Sequence, residues 1–218
     1  MELKFLGHAA FQLTMDDGRK MIFDPYEAGS YDGALKYGPI EGEFDIGVVS
    51  HDHADHYDSD IVSEIENVVE SEGSFTFGDI RIDTYPFYHD ESEGEERGES
   101  LIAIVEAAGR RIAHLGDLGH RISVDDIPEL KGVDLMLIPV GGYFTIDAET
   151  ANQIVEEFEP AVAVPMHFKT DRVDFPINPV ADFTGLRDDL IEKGGSTLEI
   201  DDQLFSGDRK TVVLEPSN

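Results

Sequence analysis

The chain has 218 residues with 40% hydrophobic content, enough for one sizeable core, and reads as a single domain over residues 1–218. It contains no cysteine, which excludes disulfides, thiolate ligands and a cysteine nucleophile, so every strong metal ligand must offer nitrogen or oxygen. Asp and Glu number 47 against 16 Lys and Arg, a formal net charge of −31 spread along the whole chain, which disfavours nucleic acid as a partner and points to a salt-loving source whose surface charge is screened at high salt.

The start, Met1 to Phe5, has no basic region followed by an apolar core, and no segment approaches the ~18 apolar residues of a membrane span. The expectation is a cytoplasmic protein with no membrane partner. Oligomeric state leaves no readable mark.

Short β-like stretches bounded by Gly, Asp or Pro dominate the first half. They cover Leu3 to Leu6, Phe11 to Thr14, Met21 to Asp24, Ile46 to Ser50, Phe75 to Phe77 and Ile80 to Tyr85. Leu101 to Glu106 and Arg111 to His114 flank Ala107-Ala108-Gly109-Arg110 and suggest a hairpin. Leu135 to Pro139 and Ala161 to Pro165 read as buried strands. Between them Asp147 can cap a helix whose apolar residues Ala151, Ile154, Val155 and Phe158 keep helical spacing. A second helix is expected near Val180 to Ile191, with Phe183, Leu186 and Leu190 facing the core and Gly194-Gly195 ending it. Thr197 to Ile200 and Lys210 to Leu214 complete the strands. Many strands with few helices fit two sheets covered by helices, an α/β arrangement.

The segment Ser50-His51-Asp52-His53-Ala54-Asp55-His56 follows the apolar run Ile46 to Val49. In an extended segment alternate side chains share a face, so His51 and His53 can hold one ion together. Asp55 and His56 need a turn to reach a second. The spacing differs from a zinc finger, which needs two separated pairs, and from His-Glu-x-x-His, which needs a helix. Three further candidates end β-like stretches: His89 after Tyr85 to Tyr88, Asp117 after His114-Leu115-Gly116, and His167 after Val162 to Met166. Strand ends opening onto loops are where α/β scaffolds place chemistry.

The ordered series His51-x-His53-x-Asp55-His56, His89, Gly116-Asp117 and His167 resembles the metallo-β-lactamase superfamily over essentially the whole chain. Gly7-His8-Ala9-Ala10-Phe11, Asp24-Pro25, Gly116 to His120, Val140-Gly141-Gly142 and Pro165-Met166-His167 look like its branch of small stand-alone hydrolases, which includes ascorbate-6-phosphate lactonase-like proteins. The resemblance implies an αββα sandwich of two mixed β-sheets flanked by helices, with the site at one edge. It assigns His51, His53 and His89 to a first divalent metal ion, Asp55, His56 and His167 to a second, and Asp117 as the bridge. It also makes Asp24 a carboxylate that orients a ligand imidazole, where the alternative reading is a turn residue before Pro25. His8 and His114 are read as lining the pocket or supporting the ligands, or else as structural histidines.

Three imidazoles at one ion leave a position open for water, as a catalytic site requires. Two ions can share a hydroxide that attacks a small ester, lactone or phosphoester, with Asp117, and Asp55 as a proton acceptor, in the catalytic roles. Zinc leads, although manganese, iron or nickel suit the same ligands. Among weaker candidates, Arg97 in the acidic run from Asp90 to Glu99, His120, Lys169 and Arg172 could meet a small-molecule substrate, the alternatives being a solvated acidic loop for the run and a plain loop histidine for His120. Gly141-Gly142 reads as a turn, because no phosphate-binding glycine motif is present. The competing readings are a nuclease or phosphodiesterase of the same fold, a di-iron redox protein, and a metal-stabilised binding module.

Overall fold

The computed structural model describes residues 1–192 and 194–217. In chain order the strands are β1 (Glu2–Gly7), β2 (Ala10–Thr14), β3 (Lys20–Phe23), β4 (Ile46–Val48), β5 (Asn67–Val69), β6 (Gly73–Phe77) and β7 (Ile80–Tyr88). They continue as β8 (Glu99–Ala107), β9 (Arg110–His114), β10 (Leu135–Pro139), β11 (Val162–Met166), β12 (Leu190–Glu192), β13 (Thr197–Glu199) and β14 (Lys210–Val213). One sheet has the order β13-β1-β2-β3-β4-β5 and the other β12-β14-β11-β10-β9-β8-β7-β6. Both are mixed. Antiparallel pairing from β13 to β3 gives way to parallel β3-β4-β5, and antiparallel β6 to β9 gives way to parallel β9-β10-β11-β14-β12.

The inner faces meet in one core holding Phe5, Phe11, Leu13 and Met21 from the first sheet with Ile102, Ile104, Ile112 and Leu137 from the second. β10 and β11 are buried along their whole length, which is why Leu-Met-Leu-Ile-Pro and Val-Ala-Val-Pro-Met read as continuous apolar runs rather than alternations. The helix Ala148–Phe158 buries Ala151, Ile154, Val155 and Phe158, and the Asp147 carboxylate accepts from the Thr150 amide at 2.8 Å, as an N-cap does. At the β8–β9 hairpin Ala108 (φ 49°) and Gly109 (φ 73°) are both left-handed, the backbone a two-residue turn of matching twist requires.

The expected helix from Val180 to Ile191 is corrected. Helix covers only Val180–Thr184, and Leu190–Glu192 instead pairs with β14 in parallel. Leu186 is 46% exposed rather than facing the core, and Gly194-Gly195 lie in the connection to β13 instead of ending a helix. Gly185, Asp188 and Asp189 are weak helix formers. The Arg187 guanidinium donates to Asp189, Glu156 and the Thr211 hydroxyl, which carries the chain into a strand. Elements absent from the sequence reading include β5 and the helix Ser59–Glu64, whose cap Asp58 accepts from the Asp60 and Ile61 amides. Among the described residues no helix is long and apolar enough to cross a membrane.

Strand direction decides where the chemistry gathers. β1, β3 and β4 point the same way in one sheet, because β2 runs antiparallel between β1 and β3 while β3 and β4 are parallel. β7, β9 and β11 share a direction in the other, because β8 lies antiparallel between β7 and β9. The C-terminal ends of these six strands lead into His8, Asp24, the Ser50–His56 segment, His89, Asp117 and His167.

Candidate metal centre

The two sheets are joined at this edge through backbone hydrogen bonds: the His167 amide donates to the His8 carbonyl and the Leu101 amide to the Ser50 carbonyl, each at 2.9 Å. Gly116 (φ 51°) sits in the join, where an added Cβ would lie 2.5 Å from the Ser100 hydroxyl and 2.7 Å from the Leu101 carbonyl oxygen. Gly141 is equally constrained, since its Cβ would come within 2.2 Å of the His167 carbonyl oxygen. His8 (φ 54°), Asp24 (φ 43°) and His167 (φ 52°) all adopt left-handed backbone, a conformation non-glycine residues hold mainly where the surrounding structure imposes it.

The donor atoms of His51, His53 and His89 lie within 4.8 Å of one another, as do those of His8, Asp55, His56 and His167, and those of His51, His56 and Asp117. Asp117 stands between the first two sets. Its Oδ2 is 3.2 Å from His89 Nε2, 3.4 Å from His167 Nε2 and 3.9 Å from His51 Nε2, while Oδ1 is 3.1 Å from His56 Nε2. The structure thus brings together all seven residues expected as ligands and adds His8, whose Nε2 is 3.0 Å from Asp55 Oδ2.

Asp24 organises the histidines from behind. It accepts the Ser50 amide (2.7 Å), the Ser50 hydroxyl (2.7 Å) and His56 Nδ1 (2.8 Å). His51 Nδ1 lies 2.9 Å from the same Ser50 hydroxyl, so one buried carboxylate turns the Nε2 atoms of His51 and His56 towards Asp117, directly and through Ser50. His114 has a different task. Its Nε2 donates to the Ala9 carbonyl at 2.9 Å, its Nδ1 accepts the Gly116 amide at 3.1 Å, and its ring stacks on Phe23. It fixes the loop that carries Asp117 and has no ring nitrogen left for a ligand.

Burial pushes His8 down to about 4, helped by His167, and His51 down to about 3, helped by His56. His53 is lowered by burial and His89. These imidazoles are neutral at neutral pH, as nitrogen donors must be. Burial opposes the charge on Asp117, yet His167 and His56 hold it well below the ordinary carboxylate range. Asp55 is likewise lowered against burial by His56 and His8, and Asp24 by His114 and His56. Burial alone would lower His56, but Asp117 and Asp55 raise it well above its ordinary value.

Several buried atoms of the cluster lack a hydrogen-bond partner among the described residues: both ring nitrogens of His167, and His56 Nε2 and Asp117 Oδ1, which lie 3.1 Å apart without hydrogen-bond geometry. An unmet buried polar atom costs about 1–3 kcal/mol. A divalent cation satisfies such nitrogen and oxygen donors together, so the residues present fit one.

Cation uptake is expected to release protons. A protonated His56 stabilises the cation-free fold fully below about pH 6.5, and this contribution is lost as pH rises through the raised folded value. A cation drawn to Asp117 and Asp55 competes with that proton, so its affinity rises with pH until His56 is neutral. Titration calorimetry at pH 7 in two buffers of different ionisation enthalpy reads the proton count, and a count of zero contradicts the linkage.

The remaining candidates fall outside the cluster. Lys169 donates to the Phe175 carbonyl at 2.9 Å and holds that loop in place. Arg172 is exposed, with its carbonyl accepting the Lys36 amide. The acidic run after His89 is an ordered loop, because Asp90 accepts four backbone amides, from Ser92, Gly94, Glu96 and Arg97. Arg97 lies over the Phe144 ring, and with His120 it lines a cavity of about 380 Å³. Sequence reasoning missed Ser50 as a link in the support and Tyr31, whose hydroxyl donates to Asp55 Oδ1 at 2.9 Å.

Two mixed sheets with a histidine and aspartate cluster at their shared C-terminal edge define a metal-site protein of the α/β sandwich class. Residues 2–167 match the family described as the beta-lactamase superfamily domain. A metal-dependent hydrolase of the UPF0173 group from Carboxydothermus hydrogenoformans is 31% identical over 196 residues, 78% of this chain and 85% of the relative. Another from Thermococcus kodakarensis is 31% identical over 195 residues, with the same coverage of each chain. A crystal structure from Thermotoga maritima, of a protein assigned to the Zn-dependent hydrolases of the metallo-β-lactamase superfamily, superposes with a TM-score of 0.78 at 28% identity, covering 98% of this chain and 97% of the other. The chain belongs to the beta-lactamase superfamily and, within it, to the UPF0173 metal-dependent hydrolases.

Proposed function

We propose that this metal-dependent hydrolase is dinuclear and acts on a small-molecule ester, lactone or phosphoester. His51, His53 and His89 hold one divalent ion, and Asp55, His56 and His167 the other. The observation that carries this reading is Asp117, whose two oxygens reach both donor sets. When bound, such ions polarise a substrate oxygen and bring the pKa of water towards ~7. Imidazole-rich sets with an open position suit zinc first, and manganese, iron or nickel take the same donors.

The chain's own residues prepare the site. Asp24 and Ser50 fix the orientation of His51 and His56, and His114 with Gly116 fixes the backbone of Asp117. Asp55 has one oxygen on Tyr31 and the other beside His8, and its lowered pKa makes it a weak proton acceptor. These contacts hold both oxygens in place, which suits an anionic donor to the second ion.

Metal analysis after reconstitution with excess zinc or manganese is expected to give two ions per chain. A stoichiometry that stays near one removes the dinuclear reading. His89→Ala should weaken the first site selectively and His167→Ala the second. The reconstituted protein, screened in high salt against lactones, phosphomonoesters, phosphodiesters and thioesters, should show turnover that chelation abolishes. Turnover confined to phosphodiesters would shift the substrate class to that of a phosphodiesterase.

A further inference from the structure

Beside the second donor set four aromatic rings stand in a row. Tyr31 meets Phe175 edge-on with ring centres 5.3 Å apart, Phe175 meets Phe144 at 5.8 Å, and Phe144 meets Tyr143 at 4.7 Å. The row is tied to the candidate centre at two points, by the Tyr31 hydroxyl on Asp55 Oδ1 (2.9 Å) and by Phe175 against the His8 ring (5.6 Å). Phe175 is buried and serves as backing. Tyr31 is 49% exposed and Tyr143 66% exposed.

These two tyrosines break local rules in the same way. Tyr31 (φ 54°) and Tyr143 (φ 63°) both have left-handed backbone, and Tyr31 is followed by left-handed Asp32 (φ 56°). A bulky side chain rarely adopts that conformation, and such outliers gather where a side chain is aimed at a ligand. The Tyr31 turn lies between Gly29 and Gly33, also at positive φ, so the glycines take up the chain reversal and the tyrosine is left pointing at Asp55. Tyr31 and Tyr143 are the exposed members of the row, and Phe175 and the partly buried Phe144, which carries Arg97 over its ring, link them beside a buried ionic cluster. Aromatic rims beside a few convergent polar groups are how small-molecule sites bind the unreactive part of a ligand.

We propose that Tyr31, Phe144 and Tyr143, backed by Phe175, form the substrate-recognition wall of the hydrolase site, and that its substrates carry a flat or apolar group next to the bond that is cleaved. The inference rests on the hydrolase reading and narrows its substrate class. The Tyr31 hydroxyl makes that residue a positioning residue for Asp55 as well as part of the wall.

The test uses the full chain reconstituted with zinc and two carboxylate probes, acetate and phenylacetate, with affinities read by ligand-observed NMR. Both probes carry the same charge, so repulsion from the acidic surface cancels in their ratio. Phenylacetate should bind at least about tenfold tighter, as burying a phenyl group implies. Tyr143→Ala and Tyr31→Leu should each lower that preference several-fold, whereas Tyr31→Phe keeps the ring and the preference but shifts the visible spectrum of the cobalt-substituted protein through Asp55. Leu186→Ser, an exposed apolar residue outside the row, should change nothing.

A phenylacetate preference near one, or one that survives in both Tyr143→Ala and Tyr31→Leu, overturns the wall; Tyr143 is so exposed that its removal leaves folding intact. Hydrolysis of γ-butyrolactone and γ-phenyl-γ-butyrolactone separates this from the parent reading. No turnover of either lactone with the binding preference intact removes lactones and keeps the wall. Equal kcat/KM for both, without a binding preference, removes the wall and keeps the hydrolase.

Discussion

Replacing Asp117 by alanine is expected to lower turnover by about three orders of magnitude, corresponding to ~4 kcal/mol of lost charge stabilisation, and to reduce metal content below two ions per chain. The size follows from position. Asp117 is the only carboxylate whose oxygens lie within 3.5 Å of imidazoles from both donor sets among the described residues, so the variant removes the one anion that the two sets share. The fold should survive. The Asp117 amide keeps its bond to the Ser100 hydroxyl (3.0 Å), and the Gly116 amide keeps its bond to His114; neither needs the side chain. Removal also deletes a buried charge that depends on His167 and His56 for its ionisation. Asp117→Asn, close in shape but neutral, should lose activity nearly as severely. Circular dichroism, metal analysis and kcat measured together decide the matter. A variant that binds two ions and keeps turnover within tenfold contradicts the bridging role.

The strands were legible where composition alternates or runs apolar between Gly, Asp and Pro. The β8–β9 hairpin declares itself through Ala108-Gly109, and the helix Ala148–Phe158 through Asp147 and its apolar spacing. β5 and β12 are three residues each, too short to show a period. Their pairing with β4 and β14 is a long-range event that no local window contains. The failed helix after Phe183 shows the same competition: Leu186 and Leu190 happen to keep helical spacing, but pairing with β14 and the Arg187 contacts prevail.

The centre was legible in residue type and order, and opaque in geometry. His51 and His53 do come together, with Nε2 and Nδ1 3.0 Å apart, although the segment carrying them is loop and not the extended strand the spacing suggests. His8 follows β1, 43 residues before His51 in sequence, and only the meeting of the ends of β1 and β11, from different sheets, through the His167 amide and His8 carbonyl places it against His167, ring centres 4.0 Å apart. Tyr31 gave no signal because its partner Asp55 lies 24 residues away and its backbone conformation is one that sequence patterns do not encode for tyrosine.

Raising potassium chloride from low to molar concentration is expected to raise the thermal midpoint by about 10 °C, the shift that removing ~3–4 kcal/mol of repulsion gives a domain of this length. Screening shortens from ~10 Å at 0.1 M to ~3 Å at 1 M, and the excess of 31 carboxylates over cations supplies the repulsion. Salt also weakens exposed pairs such as Arg19 with Asp79 and Lys131 with Glu159, but water already screens such pairs, and they contribute too little to reverse the sign. The Arg187 cluster is more protected, with its side chain only 4% exposed, and should persist. A midpoint that stays flat or falls with salt contradicts the idea. Melting zinc-loaded and chelated protein side by side assigns the effect. A surface origin requires the same rise in both, whereas a rise confined to the chelated form would trace it to the carboxylates and histidines of the centre, where salt cations take the place of the missing ions.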